Sequence, residues 1–163
     1  MRLPTVSASI AIAIALVAAP ALAETLTDQA ARVTIEVPDG WTANPHGTSV
    51  TISDHAGEVA AELMVVNAGT IDHASRIVGE ELAKKIDKIT VEQDEKVDIN
   101  GMKGEIIGGD GRLHGTNIDW MVAVVDTPST DKDLMILVIA EDDKLARHKK
   151  ELQFLFRHLR PMN

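Results

Sequence analysis

Asn117–Ala140 reads Asn-Ile-Asp-Trp-Met-Val-Ala-Val-Val-Asp-Thr-Pro-Ser-Thr-Asp-Lys-Asp-Leu-Met-Ile-Leu-Val-Ile-Ala. Its two apolar runs are short and rich in Val and Ile, which suits strands better than helices. Successive residues are apolar in both runs, so both faces of each strand must be buried. Thr127–Asp133 is the turn between them, and Pro128 cannot donate to a ladder. The stretch therefore predicts two central strands joined as a hairpin. By parity, Ile118, Trp120, Val122 and Val124 face one side, and Met121, Ala123 and Val125 the other.

Working outward, the remaining segments supply cover. Arg32–Val37 alternates, with Val33, Ile35 and Val37 on one face. Glu24–Ala31 before it is a polar lead-in. Pro38-Asp39-Gly40 turns the chain into Trp41, expected to plug one end of the core. Ser49–Ser53 and Glu58–Val66 are strands separated by the turn Asp54-His55-Ala56-Gly57. Ile71, Ala74, Val78, Leu82 and Ile86 then recur at helical spacing, predicting a helix to about Lys88, capped by Thr70 or Asp72. Glu80–Lys84 and Glu81–Lys85 are expected ion pairs on its wet side. Ile89–Ile99 returns to period two with a charged middle. Asn100-Gly101 is a hairpin signal, and the glycines of the next strand, Gly104, Gly108, Gly109 and Gly111, suggest a bulge or bend. Leu113-His114-Gly115 turns into the first central strand. A last helix begins at the acids Glu141-Asp142-Asp143, buries Leu145, Leu152, Phe156 and Leu159, and stops at Pro161.

The order β-β-β-α-β-β-β-β-α predicts an α+β fold. Its core is a central mostly antiparallel sheet of about seven strands with one helix on each face. The competing arrangement puts both helices on one face and a second copy on the other, so monomer and homodimer both stay open.

The first 23 residues read as a signal peptide, residues 1–23. Arg2 gives a positive start, Ile10–Ala19 an uncharged apolar run, and Ala21-Leu22-Ala23 a cleavage site, with the cut expected after Ala23. The run is short of the ~20 apolar residues a span needs, so no stable membrane insertion is expected. Residues 24–163 would then form a single domain, periplasmic or secreted. With no Cys there is neither a lipoprotein anchor nor a disulfide. Net charge is −9, or −10 once Arg2 is removed, which disfavours nucleic acid and anionic lipid as partners. Two Trp, two Phe and no Tyr offer no stacking platform for bases.

The element order, the turn Val37-Pro38-Asp39-Gly40-Trp41, Asn100-Gly101 ahead of a Gly-containing strand, and the close on Leu159-Arg160-Pro161 together resemble the PsbP-like superfamily. That superfamily includes the extrinsic photosystem II protein and a Ran-binding import factor. The resemblance implies a central antiparallel sheet flanked by helices on both sides. It also implies a function in binding other proteins or as an accessory subunit, not in catalysis. Nothing in the chain suggests a photosystem.

Motifs for chemistry are missing from the sequence. There is no Gly-x-Ser-x-Gly, no thiol, and no phosphate loop; Gly109-Asp110-Gly111 is followed by His114 where the dinucleotide fingerprint needs glycine. The six His are scattered without metal-ligand spacing. The weak metal candidates are spatial: Asp110, His114, Asp119, Glu141, Asp142 and Asp143, expected at one end of the sheet. Solvated caps and turn acids are the plainer reading of that set. Glu62 and Asp119 are the acids to check for acid–base work, since both sit in apolar strands. No cofactor is expected. The functional expectation is an exported, non-enzymatic module for an unidentified protein partner. The alternatives are a periplasmic binder of a small apolar ligand, with Met64, Met102, Met121 and Met135 lining a pocket between sheet and helix, and a hydrolase, which would need a cleft of converging polar groups.

Overall fold

The computed structural model describes residues 24–163; the signal peptide expected at residues 1–23 lies outside them. Seven antiparallel strands form the main sheet: β3 (Trp41–His46), β4 (Ser49–Asp54), β5 (Val59–Val66), β9 (Asp133–Glu141), β8 (Thr116–Asp126), β7 (Met102–Leu113) and β6 (Gln93–Ile99), side by side in that order. β8 and β9 lie inside the sheet and are buried on both faces, as their unbroken apolar runs require. A second sheet of three strands is made by β1 (Thr25–Asp28), β2 (Val33–Glu36) and β10 (Arg160–Pro161).

The faces divide by parity as expected. Ile118, Trp120, Val122 and Val124 pack with Ala74, Val78 and Leu82 of α1 (Ile71–Lys85) and with Ile86 just after it. Ala123, Val125, Ile136 and Val138 pack on the other side, against Leu152 and Leu155 of α3 (Lys149–Arg157) and against Val33 and Ile35 of β2. One helix thus covers each face, with the small sheet completing the second layer.

Local chemistry explains the element ends. Thr70 has extended backbone and its hydroxyl accepts from the His73 N–H at 3.3 Å, capping α1. Lys84 and Lys85 close the last turn, where the dipole favours cations. The helix stops at Lys85, short of Lys88, because Ile86 turns extended to follow the sheet. Asn100 and Gly101 both take positive φ, 53° and 88°, the pair of left-handed residues that a two-residue hairpin demands. Asn100 Nδ2 also donates to the carbonyls of Arg157 and Leu159, at 3.0 and 2.6 Å, pinning the hairpin to the end of α3.

Several expectations are corrected. The polar lead-in contains β1, which pairs with β2, and β2 belongs to the small sheet instead of the large one. The strand place this leaves is filled by β3, an edge strand in which Pro45 is tolerated. The α1 ion pairs are Arg76–Glu80, at i,i+4, and Glu81–Lys84, at i,i+3, in place of the expected Glu80–Lys84 and Glu81–Lys85. The last helix does not start at the acids. Glu141 ends β9, Asp143 is left-handed at φ 67° with no side-chain cap, and a short α2 (Lys144–Arg147) precedes α3. The β7 glycines bring no bulge into β7, whose pairing with β8 is continuous from Gly104 to Leu113. The irregularity is in the partner. Asp87 bridges Arg112 and Gln93 pairs with Gly108, so six residues of the lead-in span the same reach as four of β7.

Asp133 is the most deeply buried acid among the described residues, 1% exposed, with Oδ2 unpartnered. Burial first, and the charge of cross-strand Asp126 second, hold its carboxyl above the usual value; the Gly69 N–H only partly offsets them. A carboxyl raised in the folded state withdraws stability as pH climbs from its unfolded value, 3.8, through the folded one. Asp133→Asn should therefore stabilise the fold at pH 7, by on the order of 1 kcal/mol, and raise its melting temperature. That gain should fade below the unfolded value, as paired thermal melts would show. No gain at pH 7 would refute it.

Candidate functional site: a groove beside the edge strand

α3 and the small sheet do not reach across the whole second face. Over β6, β7 and β8 the sheet is left partly open, and α2 and α3 form a wall above it. The result is a groove of about 550 Å³. Its floor is Ile106 and Met121, its wall Leu145, Leu152 and Phe156, and its polar rim Gln93, Glu95, Asp119, Lys149 and Gln153. The residues of the floor follow from register: Glu95 pairs with Ile106, Ile106 with Ala123, and Gly108 with both Gln93 and Met121. Gly108, lacking a side chain, lines the hollow that adjoins the groove.

The wall is tied down at one end. Lys144 Nζ lies 3.2 Å from Glu58 Oε1, and His148 Nε2 lies 3.5 Å from the other carboxylate oxygen. The Lys144 ammonium, with His148 second, holds the Glu58 carboxyl below its usual value. The His148 ring also stands edge-on to Trp41, centroids 5.8 Å apart. Trp41 is 9% exposed within the core cluster, so it plugs the core as expected.

Past Met121 the groove runs into a second hollow lined by Glu92, Asp110 and Asp119. Asp110 and Asp119 oppose each other across β7 and β8. Burial first, then the charges of Asp142 and Asp110, raise the Asp119 carboxyl above its usual value, with a hydrogen bond to Asp110 and the charge of Asp143 adding to this. Asp110, Asp119 and Asp142 also line a depression of about 300 Å³ at the end of the sheet.

Of the metal candidates, the structure thus gathers Asp110, Asp119 and Asp142 around that depression, with Asp143 near Asp119. His114 sits exposed at the tip of the β7–β8 turn, and Glu141 is drawn to Lys144 at 3.4 Å. Lys88 and Arg112 share the depression, bringing positive charge where a cation would sit. No group of three or more His, Cys, Asp or Glu among the described residues is arranged to hold a metal ion. Glu62 is half-buried on β5, opposite Thr51 and Leu137, outside the groove.

The methionines do not share a pocket. Met121 lines the groove, Met102 is buried in the α3-side core, and Met64 and Met135 belong to the α1 side. Of the pocket expected between sheet and helix, the groove keeps Met121 alone; its other lining residues were not legible in the sequence. Its one local signal is the charged, one-sided strand ending at Ile99.

The fold is the PsbP-like one. Over 85% of its length the chain superposes on cyanobacterial PsbP from Synechocystis sp. PCC 6803, covering 91% of that chain with a TM-score of 0.60 and 12% identity. It matches LpqN of Mycobacterium tuberculosis, involved in cell envelope biogenesis, over 80% of this chain and 83% of that one, with a TM-score of 0.62 and 15% identity. The Ran-binding protein Mog1p of Saccharomyces cerevisiae matches over 85% and 94%, with a TM-score of 0.58 and 13% identity. A Bacteroides thetaiotaomicron protein is matched over 49% of its length, so the chain spans about half of it. No family model matches the sequence, and no curated protein matches it. At such identities the likeness is one of fold.

Proposed function

We propose that the chain acts outside the cytoplasm as a non-enzymatic module that binds another protein, through the groove beside β6. The carrying observation is the incomplete cover of the sheet over β6–β8, which leaves apolar side chains next to a strand edge without a ladder partner. The likeness to a Ran-binding protein agrees with this reading. So does the likeness to a protein involved in cell envelope biogenesis. No helix of the described residues is long and apolar enough to cross a membrane.

A photoreactive amino acid placed at Glu95, in the groove, and separately at Glu81, on the exposed side of α1, tests this in cells. A discrete protein adduct from Glu95 and none from Glu81 is the expected result. Adducts at neither site, or only at Glu81, would sink it. The same samples, analysed by mass spectrometry, should begin at Glu24 if the leader is removed.

The groove volume also suits a small apolar ligand, since such sites span roughly 300–1,000 Å³. Native mass spectrometry of the freshly purified protein should then show added mass, and a bare mass would discard this second reading.

A further inference from the structure

The groove is electrically one-sided. Glu95 and Asp119 line it, and Glu92 and Asp110 line the hollow that continues it. Among the described lining residues of both, Lys149 is the single cation. Val91, 61% exposed, stands just before β6 as an apolar side chain with nothing over it. A second copy of the chain is a poor occupant. β6 carries Asp94, Glu95 and Asp98 against Lys96, and the whole chain is at −9, so edge-to-edge pairing brings like charges together. Anionic lipid is repelled for the same reason.

Resting on the protein-binding reading above, we infer that the groove receives a cationic amphipathic segment of another protein. Its apolar side chains would sit on Ile106 and Met121, and its Lys or Arg beside Glu95 and Asp119. Each buried Leu-sized side chain contributes by leaving water, and the acids select the sign of the partner and steer its approach. The volume admits a few side chains, so the occupant is a segment and not a folded domain's full face.

A labelled peptide of Leu and Lys, patterned to be apolar on one helical face, is titrated into the purified protein. A Leu/Glu peptide of the same pattern is the control, and binding is read by fluorescence anisotropy. The Lys peptide should bind at least about tenfold tighter than the Glu peptide, and weaken as salt rises. Glu95→Lys with Asp119→Lys should remove that preference; Glu80→Lys with Glu81→Lys, on the exposed side of α1, should leave it. Lys149→Glu, which adds an acid to the rim, should tighten binding, and it keeps the test alive if the double reversal fails to fold. Equal binding of the two peptides overturns the inference, as does equal sensitivity to the α1 reversals, or preferential uptake of anionic phospholipid vesicles. A failed peptide alongside persistent crosslinks at Glu95 overturns the cationic occupant alone. Failure of both overturns the protein-binding reading as well.

Discussion

Trp120→Ala is expected to cost roughly 3–5 kcal/mol, the range for emptying a buried aromatic site. Against the roughly 5–15 kcal/mol that holds an ordinary domain together, such a loss leaves little margin. Trp120 is 3% exposed on the α1 face of β8 and packs in one cluster with Val78, Leu82 and Ile86. It lies directly opposite Gly109, and its indole Nε1–H donates to the Asp110 carbonyl at 3.0 Å. The ring therefore reaches toward β7 beside Gly109, whose missing side chain leaves room for the Thr90–Glu92 backbone. The Asp110 carbonyl keeps a second donor, the Thr90 N–H at 2.9 Å, so the alanine variant does not orphan it. The loss is one of packing, and Trp120→Phe should recover most of it, leaving about 1 kcal/mol for the hydrogen bond. Urea denaturation followed by the fluorescence of Trp41, which sits in the opposite core cluster, measures both variants. A loss under about 1 kcal/mol for the alanine variant would mean that α1 does not seal this face.

How much of this was legible differs from element to element, for physical reasons. Asn117–Ala140 announced two strands buried on both faces because nothing but a central position tolerates apolar residues at every step. Its parity correctly assigned Trp120 to one helix and Ala123 to the other. α1 was legible because its stripe is unbroken from Ile71 to Ile86. β1 and β3 were missed because they cover little. Thr25–Asp28 has one apolar residue, Leu26, and none that is fully buried, and β3 is exposed or half-buried after Trp41, so neither carries an apolar alternation long enough to read. The last helix was legible in its stripe, since Leu152 and Leu159 are buried and Leu145 and Phe156 pack against the same core. The break at His148 and the burial of Leu155, at 0% exposure, were not legible. That break also sets the wall of the groove. The groove was illegible because it arises from what α3 fails to cover, a property of layer sizes and not of any local run. Asp110, Asp119 and Asp142 line one depression at the end of the sheet, beside the turns that carry them. The side-chain directions that leave His114 exposed and engage Glu141 with Lys144 could not be read from spacing.

Gly109→Ala should be the most damaging alanine substitution among the described glycines, costing on the order of 3 kcal/mol. Most glycines in β7 look interchangeable in sequence, but a Cβ built at Gly109 falls 2.1 Å from the Thr90 carbonyl oxygen and 3.1 Å from the Glu92 nitrogen. Both obstacles are backbone, so no rotamer change relieves them. The lead-in must lift away. It then loses the Thr90 N–H to Asp110 carbonyl bond of 2.9 Å and the Glu92 N–H to Gly108 carbonyl bond of 2.8 Å. Each such bond is worth about 1 kcal/mol net, and the displaced segment also pulls on Ile86, 2% exposed under α1. Gly79→Ala provides the opposite control. Gly79 lies inside α1 with nothing within 4 Å of its would-be Cβ, so alanine there should stabilise by about 0.5–1 kcal/mol through helix propensity. Hydrogen exchange separates a local from a global effect. The Thr90 and Glu92 amides of Gly109→Ala should lose protection beyond the overall drop in stability, while those of β8 and β9 should follow that drop alone. Unchanged protection at Thr90 and Glu92 would show that the lead-in does not lie across β7. The edge carrying Val91, and with it one side of the groove, would then have to be placed elsewhere.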